Sequence, residues 1–283
     1  ILHTGLGPDA NFSGAMNRLI AFSLESAGMP IVKGGSDKLV AAFVGLIEEC
    51  GGVLTTDAHV EQILVKSGVA NGVVVAGQDP IYANRAVICN VTPNQLYETL
   101  LDRQWVPDNI VQQAAGYRYG RAGMQIHLAL KGRPEWLEKS LNDVAMVHIS
   151  DGIDSVAKAV NQAECGLLPE QATIVVAQPT VVDPSRAPKG HSILWIQLQE
   201  LPRVILGDAA ETIPIPEGGV WNHQVREAYA DRIIDRICEY IPALKTAILC
   251  REVLSPADLQ AMNINLVGGD PYSGHCGMQQ FFF

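Results

Sequence analysis

The chain is poor in charge, and the charge it has is one-sided. Charged residues make up 18% of its 283 residues, with 20 Lys and Arg against 30 Asp and Glu, a formal charge of −10. Such a balance repels phosphate backbones and anionic membrane surfaces, so nucleic acid is excluded as an expected partner. No apolar run approaches the ~20 residues that cross a bilayer. Ile1-Leu2-His3-Thr4 has no charged stretch leading into an apolar core, so no secretory leader is read there. A cytoplasmic or organellar-matrix location is the expectation. No cysteines stand as C-x-x-C, no histidines as H-E-x-x-H or H-x-x-x-H, and there is no G-x-S-x-G elbow. These absences leave metal catalysis and nucleophile-elbow hydrolysis without support, and no metal is expected. Cys50, Cys89, Cys165, Cys238, Cys250 and Cys276 are expected as reduced thiols in the core.

What is present is a globular composition. Hydrophobic residues reach 48%, enough to offset the entropy of folding, and roughly 150 residues per domain suggests two domains. Apolar residues at Leu39, Ala42, Phe43, Leu46, Ile47 and Cys50 follow helical spacing between a cap at Ser36 and a stop at Gly51-Gly52. An earlier helix is expected over Ser13–Ala27, closed by Gly28. Short β-branched runs follow at residues 53–55, 60–66, 72–76 and 86–89, with a Ser67-Gly68 turn, and read as a β-meander. Thr92-Pro93 starts a helix to Leu101. Further on, residues 123–130 alternate apolar with polar or small side chains, predicting a half-buried strand; similar runs occupy 144–149, 173–177 and 192–198, with a helix near 155–163. A long helix over 222–240 carries Val225, Ala228, Tyr229, Ile233 and Ile237 on one stripe, and Ser255-Pro256-Ala257-Asp258 reads as another helix start.

Candidate motifs each carry two readings. Gly5-Leu6-Gly7-Pro8-Asp9-Ala10 has the letters of a dinucleotide fingerprint, but no strand precedes it and no acidic partner follows, so it reads as a loop. Gly34-Gly35 after Lys33 is either a positive-φ turn or, before a helix N-terminus, a phosphate cradle. His127 and His148 sit mid-strand, either as ordinary sheet histidines or as residues lining a substrate cavity.

Several stretches resemble the interior of phytoene desaturase-related flavoproteins, a family similar in fold to flavin amine oxidases. They are Pro30-Ile31-Val32-Lys33-Gly34-Gly35-Ser36, Glu48-Glu49-Cys50-Gly51-Gly52, Val60-Glu61-Gln62-Ile63 with Gly72-Val73, and Ala86-Val87-Ile88-Cys89-Asn90 with Pro93. Ala187-Pro188-Lys189-Gly190-His191 leading to Pro202, Ala230-Asp231-Arg232-Ile233-Ile234, and Ser255-Pro256-Ala257-Asp258-Leu259 extend the likeness over nearly the whole chain. The resemblance implies an α/β (α+β) chain. Residues 1–92 would be a middle segment of a discontinuous FAD domain, and 93–262 a substrate domain with a mixed or antiparallel sheet covered by helices. Residues 263–283 would return toward a C-terminal FAD region.

It also implies that backbone at Val60 meets the adenine of FAD, with Gly34 and Gly35 near the cofactor, and that the sheet bearing Gln125, His127 and Trp195 forms one wall of a substrate cavity. The intact protein would move hydride from a small apolar, isoprenoid-type substrate to flavin and could touch a membrane peripherally; its oligomeric state and catalytic residues stay open. Two segments expected of the family, a glycine-loop strand unit and a C-terminal glycine-rich stretch, are absent from the chain. It reads as an interior section cut at both ends, expected to bind FAD weakly or not at all and to be inactive alone. The rival reading is a non-catalytic binding module for a lipid or protein partner.

Overall fold

The computed structural model describes residues 4–281; the expectations for Ile1 to His3 and for Phe282 and Phe283 lie outside that range. Helices α1 (Ser13–Ala27) and α2 (Asp37–Glu49) lead into β1 (Val60–Lys66), β2 (Val69–Val75) and β3 (Ile81–Tyr82). After α3 (Asp108–Ala115) come β4 (Ala122–Lys131), β5 (Met146–Ile149), α4 (Ile153–Glu164), β6 (Leu167–Leu168), β7 (Ile174–Ala177), α5 (Pro179–Val182) and β8 (His191–Leu201). The order closes with β9 (Gly207–Asp208), α6 (His223–Cys238), α7 (Leu244–Ala247), β10 (Ile248–Leu254) and α8 (Pro256–Met262). This is an α/β chain of two compact units. The larger runs to Leu39 and resumes at Tyr119; the smaller is Val40–Arg118.

The larger unit is built on a five-stranded antiparallel sheet in the order β10-β4-β8-β7-β5. Side chains alternate across a pleated strand, so Met124, Ile126, Leu128 and Leu130 of β4 fall on the same face as Leu194, Ile196 and Leu198 of β8, and all are buried. Onto that face packs α6, with Val225, Tyr229, Ile233, Ile234 and Ile237 buried in the same cluster. Each such aliphatic side chain contributes roughly 1.5–3 kcal/mol. Asn222 caps α6 by accepting from the Val225 amide at 3.0 Å. Two large buried polar tips are satisfied: the Tyr229 hydroxyl donates to the Pro169 carbonyl at 3.1 Å, and the Trp136 indole donates to Gln178 at 3.1 Å. Ser255 and Asp258 form a reciprocal capping box on α8, as the sequence signature requires.

The smaller unit holds the three-stranded antiparallel meander β1-β2-β3. Ser67 and Gly68 both adopt positive φ, 52° and 78°, the geometry whose twist suits a two-residue hairpin. Two expected strands do not form. Residues 53–55 and 86–89 are irregular, with Val53 86% and Ile88 92% exposed, because a strand needs a hydrogen-bonded neighbour and none pairs with them among the described residues. The Thr92-Pro93 start yields a short helix that continues as a π-helical stretch, Gln95–Leu100. In α2 the spacing is amphipathic as expected, yet none of its residues is buried.

Two further features depart from the sequence reading, and a loop read from the sequence gains a reason for its glycines. All six cysteines are free thiols, but none lies in the core: Cys50, Cys89, Cys165 and Cys250 are exposed and the others half-buried. Cys50 ends the uncovered stripe of α2 and Cys165 follows the last turn of α4, so apolar neighbours in sequence did not bring burial. Strand β10, unpredicted from the sequence, completes one edge of the main sheet. The glycines of the Gly5-Leu6-Gly7 loop serve close packing. A Cβ on Gly5 would lie 2.9 Å from the Cys276 sulfur, and one on Gly7 would lie 2.8 Å from Val160.

Candidate functional site

The second face of the five-stranded sheet brings together three of the residues singled out from the sequence. His127 and Trp195 are direct cross-strand partners, as are Gln125 and Gln197. The Trp195 indole N–H donates to the Gln125 side-chain oxygen, tying the two strands together. Beyond His127 lies Glu252 of the edge strand β10; on the other side Gln197 is followed by Val175 of β7 and then His148 of β5, which is exposed. Gln125, Trp195 and Gln197 are half-buried and His127 is exposed at its edge. Burial lowers the His127 pKa from its ordinary value, opposed by the nearby Glu252 carboxylate, so the imidazole is neutral at pH 7 and offers one donor and one acceptor.

Along β8 the same face ends in a polar corner. Gln199 accepts from the Tyr272 hydroxyl at 3.4 Å. Arg121 is held between the Glu164 carboxylate at 2.9 Å and the Gly5 carbonyl at 3.2 Å. Next to this corner Glu200 is 3% exposed; burial raises its carboxyl to about 7, with Arg121 pulling the other way. Glu200 Oε2, Arg121 Nε and Thr173 Oγ1 are buried without a hydrogen-bond partner among the described residues. Sequence reasoning missed Gln197, Gln199 and Glu200. The first two share the alternation that marked Trp195 and were legible from it. Glu200 lies on the buried face of β8 in line with Leu194, Ile196 and Leu198, and its charge partner Arg121 is distant in sequence.

The residues named for the cofactor lie elsewhere. Val60 opens β1, an edge strand of the small meander, and a register irregularity sits between Val60 and Gln62. An edge strand presents backbone N–H and C=O groups that no neighbouring strand uses. Gly34 and Gly35 do adopt positive φ, 86° and 126°, but their amides are taken. The Gly34 N–H donates to Asp183 at 2.6 Å and the Gly35 N–H to the Val32 carbonyl at 3.3 Å. Bonds from the Ser185 hydroxyl and the Gly34 amide hold the Asp183 carboxyl at about 2, and Arg186 donates to both Asp183 and the Val32 carbonyl. An anion does sit on this glycine turn, and it is the protein's own. The turn is a latch between residues 32–35 and 183–186, and neither glycine amide is left to cradle a phosphate. No group of three or more His, Cys, Asp or Glu side chains suited to a metal ion converges among the described residues, and none of the described helices is long and apolar enough to cross a membrane.

No protein-family model matches the chain. Individual relatives nevertheless support a class: the chain is similar to phytoene desaturase-related FAD-dependent oxidoreductases. It is 24% identical over 262 residues to the rat (Rattus norvegicus) "pyridine nucleotide-disulfide oxidoreductase domain-containing protein 2", covering 89% of this chain and 43% of that protein. Against the zeta-carotene-forming phytoene desaturase of Myxococcus xanthus it is 29% identical, over 69% of this chain and 35% of the relative. Against the lycopene-forming phytoene desaturase of a Paracoccus species it is 26% identical, over 96% and 50%. The chain thus spans half or less of the length of these relatives. In fold it is similar to a crystal structure of an oxidoreductase from Methanosarcina mazei, with a TM-score of 0.52, 16% identity and coverage of 83% of this chain and 46% of that one.

Proposed function

We propose that this chain is an interior part of a larger FAD-dependent oxidoreductase whose substrate lies along the Gln125–His127–Trp195 face of the main sheet. The observation that carries this reading is the continuous likeness to a protein named for an oxidoreductase domain and to a phytoene desaturase, over 89% and 96% of the chain. When bound, the flavin supplies the redox chemistry by accepting a hydride from a substrate carbon, and the protein supplies orientation and exclusion of water. Among the residues here, the open edge of β1 at Val60 would take the adenine, while both glycine amides of the Gly34-Gly35 turn are already taken. The half-buried face of β4 and β8 would align a long, largely apolar substrate of isoprenoid type, with Trp195 fixed in position by Gln125.

The complete protein that contains these 283 residues, purified and supplied with FAD, is expected to be yellow and to show the visible flavin absorption bands. A protein that stays colourless after FAD is added, with no change in FAD fluorescence, would overturn the oxidoreductase reading. The sheet face would then belong to a non-catalytic module binding a lipid or protein partner.

A further inference from the structure

The open face of the main sheet is neither a core surface nor an ordinary water-facing one. On β4 its outward residues are Gln125, His127, Ala129 and Lys131; on β8 they are His191, Ile193, Trp195, Gln197 and Gln199. The one formal charge among them is Lys131, at the far end of β4 from Gln125 and Gln197. An antiparallel sheet turned toward water alternates apolar-in with polar-out, and its polar side is where Lys, Glu and Arg ordinarily gather. Here the two neighbouring strands offer an indole and carboxamides instead, half-buried and packed in register.

The hydrogen-bonding capacity of this face is only partly used. Gln125 accepts from Trp195, and Gln199 accepts from Tyr272. Gln197, placed directly opposite Gln125, makes no side-chain hydrogen bond to any described residue. A hydrocarbon laid across such a face would strip water from a carboxamide and an imidazole and give nothing back, a cost on the order of 1–3 kcal/mol per group. A ligand with its own donor and acceptor would satisfy them. Charge selects further. The formal charge nearest to His127 on this face is the Glu252 carboxylate across from it, which repels an anionic head group.

We infer that the ligand of this face is an amphipathic molecule with a neutral hydrogen-bonding group, such as a hydroxyl or carbonyl, that docks on Gln197 and Gln125 while its apolar body lies along Trp195 and Ile193. The inference rests on the proposed substrate role of the sheet and narrows the substrate class from any apolar chain to an oxygenated one. Gln197 becomes a specificity-determining residue, and a pure hydrocarbon becomes the poorer ligand.

The test uses three probes of one chain length, decan-1-ol, decane and decanoate, titrated into the isotope-labelled chain while the side-chain N–H signals of Gln125, Gln197 and Trp195 are followed by NMR. Decan-1-ol is expected to shift all three, with decane and decanoate each binding at least about threefold more weakly, the size of one neutral hydrogen bond. Gln197→Leu should remove the preference for the alcohol over the alkane, and Gln197→Asn, which keeps the carboxamide, should retain most of it. Equal or tighter binding of decane to the unmodified chain would overturn the polar-group inference and leave the substrate face standing. Tightest binding of decanoate would overturn the demand for neutrality. If none of the probes moves these signals, the face is not a ligand wall, and the proposed placement of substrate falls with the inference, whatever the complete protein does with FAD.

Discussion

Helices α2 and α6 pose the same question to the solvent and receive opposite answers. Both have apolar residues at helical spacing. In α6 six residues are buried, among them Ile233 at 2% exposure and Ile237 at 0%; in α2 none is, and Phe43 and Leu46 are 59% and 54% exposed. The difference lies in what the rest of the chain supplies. A five-stranded sheet presents Ile126, Leu128, Ile196 and Leu198 to α6, whereas the strand-like runs at 53–55 and 86–89, both later in the chain than α2, do not pair. An apolar stripe specifies that a helix can be buried, and only a complementary surface buries it.

The sharpest way to test the contrast is a matched pair of truncations. Ile237→Ala should cost about 2–5 kcal/mol in urea unfolding of the larger unit, because it opens a cavity in a closed core. Leu46→Ala in α2 should change stability by less than about 0.5 kcal/mol. A large loss at Leu46 would show that the stripe of α2 is covered in solution and would erase the contrast.

Within the larger unit, the cost of burial should show as a pH dependence. Glu200 titrates at about 7 when folded against 4.5 for an ordinary glutamate, so between those values the folded protein keeps a proton that the unfolded chain gives up. Stability therefore falls as pH rises through that window and stays lower above it, by about 3 kcal/mol in total. Glu200→Gln should remove that fall, so the stability difference between variant and parent, measured by denaturant titration at several pH values, should grow in the variant's favour toward pH 7. A parallel pH course for both proteins would mean that Glu200 is already charged and solvated in the fold.

The smallest expected effect is at α8. Ser255→Ala removes one half of the capping box with Asp258 and should cost about 1 kcal/mol, read as a lower midpoint of thermal unfolding. It sets the scale of a local, sequence-encoded interaction against the core truncation at Ile237.

These comparisons also show how much was legible before the structure. The α6 stripe, the Ser255-Pro256-Ala257-Asp258 start, the Ser67-Gly68 hairpin and the alternation of β4 and β8 were all readable, because each depends on residues within one turn or one strand of each other. The pairing of His127 with Trp195 and of Gln125 with Gln197 was not, since register between β4 and β8 is set across some 70 positions of chain and a shift of one residue would send every side chain to the other face. The Gly34-Gly35 turn is the instructive case. Its positive φ could be expected from glycine alone, but its partner, Asp183, lies 149 positions away, and that carboxylate decides that the turn is a latch.

By itself, then, the sequence determined the periodicities, the caps, the turns and the family likeness, all of which follow from local conformational preference and the order of residues. Only the tertiary structure decided which apolar stripe is covered, which glycine amides are free and which carboxyl loses its water. Those outcomes depend on desolvation, and desolvation is fixed by neighbours that the chain brings together only when it folds.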